Sequence, residues 1–130
     1  MAIDFSGHDI SLIATEDLSG QQYRFVCQHD DTHCDMPDAA TEVPIGILQK
    51  APTIGQVAQI RISGTSKLVM NDAVAVQARI KMEYVAVDDN GKGDAADTEG
   101  DQERGICIMA SGAENDIGGV LLIFNETSVP

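Results

Sequence analysis

Gly46-Ile47-Leu48-Gln49-Lys50-Ala51 returns later in the chain as Gly105-Ile106-Cys107-Ile108-Met109-Ala110. In each copy a glycine opens a short apolar run. Each is followed by a polar connection and then Ile-Gly-x-Val, once as Ile54-Gly55-Gln56-Val57 and once as Ile117-Gly118-Gly119-Val120. Upstream, Tyr23 to Val26 precedes the acidic turn Asp30-Asp31, and Tyr84 to Val87 precedes Asp88-Asp89. Three echoes in one order point to an internal duplication. Each half of about sixty residues reads strand, acidic turn, glycine-led strand, loop, strand. The pseudo-repeats are expected over residues 20–63 and 81–124, within a single β domain spanning 20–130.

The strands around these echoes follow from side-chain pattern. From Gln56 to Ser63, Ala58, Ile60 and Ile62 fall on one face and Gln59, Arg61 and Ser63 on the other, the alternation of a half-buried strand. Gln22–Cys27, Lys81–Val87, Ile106–Ala110 and Val120–Phe124 are strands by composition, rich in β-branched residues that suit a pleated sheet. Val43–Leu48 carries Pro44 and Gly46, which predicts an edge strand or a bulge. Asn71–Ala78 fits either one helical turn or a strand. Asp88-Asp89-Asn90-Gly91 is a turn, and residues 92–102 form a polar loop. Residues 1–19 are expected to be an extended N-terminal arm with one short strand at Ile10–Ala14. The fold class that results is mostly β: a small β-barrel or β-sandwich built from two similar halves, its aliphatic faces buried together.

With 130 residues the chain can bury a core without metals or disulfides. Its formal net charge of −13 repels nucleic-acid phosphates and keeps a crowded surface soluble. No apolar stretch approaches the ~20 residues of a membrane span. The first residues lack the basic start and apolar run of a secretion signal. Three cysteines, an odd number, fit a protein made in a reducing cytoplasm.

Candidate chemistry is sparse. Cys27-Gln28-His29-Asp30-Asp31-Thr32-His33-Cys34 holds soft ligands for zinc, but alternate residues of a hairpin point to opposite faces and scatter them. Asp88, Asn90, Gly93, Asp94 and Glu99 occupy positions 1, 3, 6, 7 and 12 of an EF-hand loop. Lys92 at position 5 places a cation where a ligand belongs, and a strand precedes the loop where the motif needs a helix. Both segments read as solvated turns, with no metal and no cofactor. The Lys81-Met82 pair lies inside a strand, away from the hairpin tip where carrier domains present a modified lysine. Cys107 sits in an apolar run, where a cysteine is a small buried hydrophobe. No nucleophile elbow, phosphate loop or dinucleotide fingerprint is present, so no enzymatic activity is expected.

From Tyr23 onward the chain resembles small bacteriophage capsid decoration (cement, head-stabilising) proteins. The resemblance is carried by Val43-Pro44-Ile45-Gly46-Ile47-Leu48, Gly55 to Gly64, Tyr84 to Gly91, Gly105 to Ala110 and Gly118 to Leu122. It covers about four fifths of the chain and departs from the family pattern at Cys27–Asp38 and Lys92–Gln102. It implies a β-barrel-like body led by a short arm. The expected role is non-catalytic: binding the outside of a phage head and bridging neighbouring subunits, as a homotrimer whose partner is the major capsid protein. Ile3, Phe5, Ile10, Leu12 and Ile13 are the apolar residues such an arm would offer to the capsid. The competing readings are a zinc- or calcium-dependent β binding module, and another phage component such as a tail or baseplate domain.

Overall fold

The computed structural model describes residues 4–39, 41–84 and 90–123. Among them the fold is all β. Nine strands run as β1 (Gly7–Ala14), β2 (Phe25–Gln28), β3 (His33–Asp35), β4 (Gly46–Lys50), β5 (Val57–Val69), β6 (Arg79–Met82), β7 (Gly93–Ala95), β8 (Gly105–Met109) and β9 (Ile117–Leu122). Hydrogen bonding orders them β1-β3-β2-β4-β5-β9-β8-β6-β7, with β1 also paired to β5. That extra pairing closes the first five strands into a ring. A parallel bridge between Met70, just past β5, and Gly93 at the start of β7 closes the second set in the same way. The two rings share one strand. The first part of β5 pairs with β1 and β4, and its last five residues, Thr65–Val69, pair with β9.

Backbone hydrogen bonds recur between the rings. Ala14 N–H donates to Gln56 C=O at 2.9 Å, and Met70 N–H to Asp116 C=O at 2.9 Å. Tyr23 N–H donates to Leu48 C=O at 2.8 Å, and Gln77 N–H to Cys107 C=O at 2.8 Å. Positive φ recurs too, at Tyr23 (64°) and Gln77 (77°), and at Gly55 (82°) and Asn115 (70°). The bulge between Leu48 and Lys50 returns between Cys107 and Met109. A bulge adds one residue to one strand and bends it, so its repetition gives both rings the same curvature. The repeated leading glycine has a steric cause. A Cβ on Gly46 would run into the Arg61 carbonyl oxygen, and one on Gly105 would lie 2.8 Å from that of Leu121.

Several expectations are corrected by this pairing. The partner of Tyr23 in the second ring is Gln77, and that of Gly55 is Asn115, so Tyr84 and the Ile-Gly-x-Val echo are coincidental. The second repeat begins within β5, well before residue 81. Residues from Gly7 onward are no arm: β1 pairs with β5 along Gly7–Ile13, and Leu12, Ala14 and Leu18 are buried. Of the edge strand or bulge expected over Val43–Leu48, the bulge is present, between Leu48 and Lys50, but β4 lies between β2 and β5, not at an edge; Pro44 precedes it, so its missing N–H breaks no ladder bond. Asn71–Ala78 is neither helix nor strand, carrying one isolated bridge from Val74 to Ser111. Val85–Asp89 and Phe124 lie outside the described residues.

Each ring holds its own core. Leu12, Ala14, Leu18, Val26, Cys34, Met36, Leu48, Ala58 and Ile60 fill the first. Leu68, Met70, Val74, Ile80, Cys107, Val120 and Leu122 fill the second, together with Phe25 and Ile47 from β2 and β4 of the first half. Alternation along β2 and β4 therefore feeds both cores, which makes the rings one folding unit. Volumes are exchanged between them. Where the first ring packs Ala14 with Cys34 and Ala58, the second packs Met70 with Gly93 and Gly118. A Cβ on Gly118 would sit 2.9 Å from Met70 Cε, and one on Gly93 3.0 Å from Met70 Sδ.

This exchange is testable by a double-mutant cycle in urea. Met70→Ala should cost about 2–5 kcal/mol by opening a cavity, and Gly118→Ala about 1–3 kcal/mol by overpacking. The double variant, which restores the small-residue pairing of the first ring, should cost clearly less than the sum. Strict additivity would show that the two sites do not share space.

Candidate interaction surface

The zinc candidates are divided between faces. Cys27 and Cys34 are buried on adjacent strands, while His29 is exposed and His33 half-buried. His29 Nδ1 lies 3.2 Å from Asp35 Oδ2, and His33 Nδ1 lies 2.8 Å from Asp30 Oδ1. Burial, with Glu42 and Asp35 nearby, pushes the Cys27 thiol up to about 12. Burial and Asp35 push Cys34 up to about 11. Burial also raises Cys107. All three are thiols at neutral pH, the form that neither attacks nor ligates. A maleimide reagent should leave them unmodified in the native protein and label all three in denaturant; rapid native labelling would contradict their burial.

The calcium candidates are equally dispersed. Asn90 donates its side-chain amide to the Pro37 carbonyl at 3.1 Å, Gly93 is buried in β7, and Asp94 accepts from the Ala95 N–H at 2.8 Å. Lys92, 2% exposed, has its ammonium 3.8 Å from Glu114. Asp88 lies outside the described residues. Among the described residues no three His, Cys, Asp or Glu side chains gather where a metal ion would sit.

The five capsid-contact candidates separate. Ile3 is outside the described residues. Phe5 is half-buried with its ring stacked on the backbone at Gly119, where a Cβ would lie 2.7 Å from Cε1. Ile10 and Ile13 are half-buried on β1, and Ile10 packs against the first core. Leu12 points inward and is only 8% exposed, so it belongs to the first core and offers little to a contact. The exposed large apolar side chains lie elsewhere. Val57 pairs with Ile13 across the β1–β5 ladder, Ile54 stands on the turn just before β5, Val76 projects before β6, and Ile117 and Leu121 stand on the outer face of β9. In the sequence they are indistinguishable from core residues, since Val57, Ile117 and Leu121 adjoin buried positions and Ile54 and Val76 lie in short turns. A crevice of about 270 Å³ opens beside Ile13, lined by Ser11, Leu12, Ile13, Asp31, Thr32 and Val57.

Acidic side chains dominate the electrostatics. Arg61 holds Asp9 below its usual range through Nε at 2.7 Å and Nη2 at 3.3 Å. Burial raises Glu16, Asp35, Glu42 and Glu83. A carboxyl with a raised folded pKa binds its proton more tightly when folded, so stability grows as pH falls from neutral through that value. Asp9 acts in the opposite sense: its contribution is complete above 3.8 and lost as pH falls below it. The melting temperature should therefore rise from pH 7 to about 5 and fall below about pH 4. A steady decline from pH 7 downward would contradict the burial of these carboxyls.

No helix among the described residues is long and apolar enough to cross a membrane. No protein-family model matches the chain, and no curated protein matches it. Among solved structures, the chain is similar to the N-terminal base of the head fiber protein gp8.5 of bacteriophage phi29. The TM-score is 0.66 at 13% sequence identity, over 93% of this chain and 98% of the other. A match over 93% of the chain takes in both rings, so the likeness is one of the fold as a whole.

Proposed function

We propose that this chain is a structural virion protein that binds the outside of a phage head and stabilises it by bridging neighbouring capsid subunits, without covalent chemistry. The observation that carries this reading is the fold itself. Over 93% of its length it matches 98% of the N-terminal base of a bacteriophage head fiber protein. The bland chemistry agrees with it. The cysteines are buried and protonated, and His29 and His33 face carboxylates in a solvated hairpin. A net charge of −13 suits a protein displayed in many copies on a particle surface.

The partner in this reading is the major capsid protein, with self-association as a homotrimer. Ile13, Ile54, Val57, Ile117 and Leu121 supply the apolar area that contact with protein requires. Removing residues 1–14 would delete β1 and open the first ring, so attachment is better tested with point changes.

Purified chain mixed with heads assembled without it should cosediment saturably, unaffected by chelator, and should raise the temperature at which the heads disrupt. Absence of cosedimentation at micromolar concentration would reject the capsid-binding reading.

A further inference from the structure

The seam where the second ring accepts the first half has a vacant counterpart in the first ring. In the second ring, residues 23–25 are wedged between the end of β5 and the turn before β7. Val69 N–H donates to Tyr23 C=O at 2.8 Å, Phe25 N–H to Gly91 C=O at 2.7 Å, and Arg24 Nη1 to Asn90 C=O at 3.3 Å. Phe25 and Ile47 enter the core behind it, both 0% exposed. The repeat carries Val69 onto Ile13, Asn90 onto Asp31 and Gly91 onto Thr32. There Ile13 N–H donates straight to Thr32 C=O at 2.8 Å, and the crevice beside this bond is open.

The inserting face also has a counterpart. Tyr23, Phe25 and Ile47 map onto Gln77, Arg79 and Ile106. Gln77 has the same positive φ as Tyr23; Gln77 and Arg79 are exposed, and Ile106 is half-buried. Among the described residues, none is bonded across this face as residues 23–25 are in the internal seam. Beside it stand Val76, 55% exposed, and Leu121, 40% exposed, the latter where the first ring has Arg61 paired to Asp9. The two surfaces are complementary in charge. In the internal seam the cation of Arg24 meets the Asn90 carbonyl; in the external one the cation would come from the next position along, Arg79, opposite the exposed Asp31.

We propose that a second copy of this chain docks head to tail, its Gln77–Arg79 segment entering the first-ring seam between Ile13 and Thr32. The Ile13–Thr32 hydrogen bond is exchanged for two: Ile13 N–H to Gln77 C=O, and Arg79 N–H to Thr32 C=O. Ile106, Val76 and Leu121 of one copy then meet Ile13 and Val57 of the next, and Arg79 reaches Asp31. Such a contact is heterologous, so copies related by it close into a ring when the rotation permits. The proposal deepens the self-association placed in the preceding reading and rests on it, but not on capsid binding.

The test compares the solution mass of the full chain with Arg79→Asp, Asp31→Arg and the double variant, by sedimentation velocity across concentration. Both positions are exposed, and circular dichroism checks that each variant keeps its strands. The wild type should exceed the 13.8 kDa monomer. Each single reversal should weaken association at least about tenfold, and the double should restore most of it. Single variants that keep the wild-type mass would overturn the seam while leaving self-association standing. A wild type that stays monomeric overturns both. If Asp31→Arg then abolishes cosedimentation with heads, the seam belongs to a capsid segment and not to a second copy.

Discussion

The architecture depends on the continuity of β5. Its 13 residues close one ring and open the next, so neither ring can form without the other's share of the strand. The handover falls at Gly64, between Ser63, paired to His8, and Thr65, paired to Leu121. Gly64 has a φ of 93°, and a Cβ there would strike the backbone of Ser6 and Gly7. An L-residue with a side chain would pay twice, in backbone strain and in overlap. Facing Gly7 across the ladder, Gly64 stands where the pairing of β5 passes from β1 to β9. Duplication alone would yield two beads; the shared strand, with Phe25 and Ile47 crossing into the second core, yields one body.

How much of this could be read from the residues depends on what each signal encodes. The strand at Gln56–Ser63 was legible because one of its faces is a core and the other is solvent, which writes a period of two. Gly46–Ala51 and Gly105–Ala110 were legible because the same ladder geometry demands a glycine at the same place. Tyr23 and Gln77 were not recognised as counterparts, since what they share is a backbone conformation and not a side chain. The closing of the rings was hidden for a related reason. Met70 and Gly93 replace Ala14 and Cys34, so their common role lies in summed volume and leaves no common letters. The strand at Ile10–Ala14 was legible, but its place within the body was not, because only Leu12 and Ala14 are fully inward and the half-buried Ile10 and Ile13 give it the look of a loosely apolar arm.

The interaction surface was less legible still. Apolar residues on an outer face cannot be told from core residues by alternation when both faces of a strand carry them, as in β9, where Val120 is buried and Leu121 is 40% exposed. The distinction exists only relative to the other ring. Comparing the halves position by position recovers it. Arg61, bound to Asp9, marks a position where the first ring keeps a paired charge, and at its counterpart the second ring exposes Leu121.

That asymmetry bears on how an acidic protein can crowd onto a surface. A charge of −13 opposes self-association through a field screened over about 8–10 Å at physiological salt. Direct contact between copies then needs local pairing of opposite charge and buried apolar area to outweigh the repulsion. Eight basic residues stand against twenty-one acidic ones, and Arg61 and Lys81 already pair internally, with Asp9 and Asp101. Arg79 is exposed at the edge of an apolar face, where its charge can be used between molecules. Placing a scarce cation at that position confines attraction to one orientation, and the surrounding carboxylates discourage the rest.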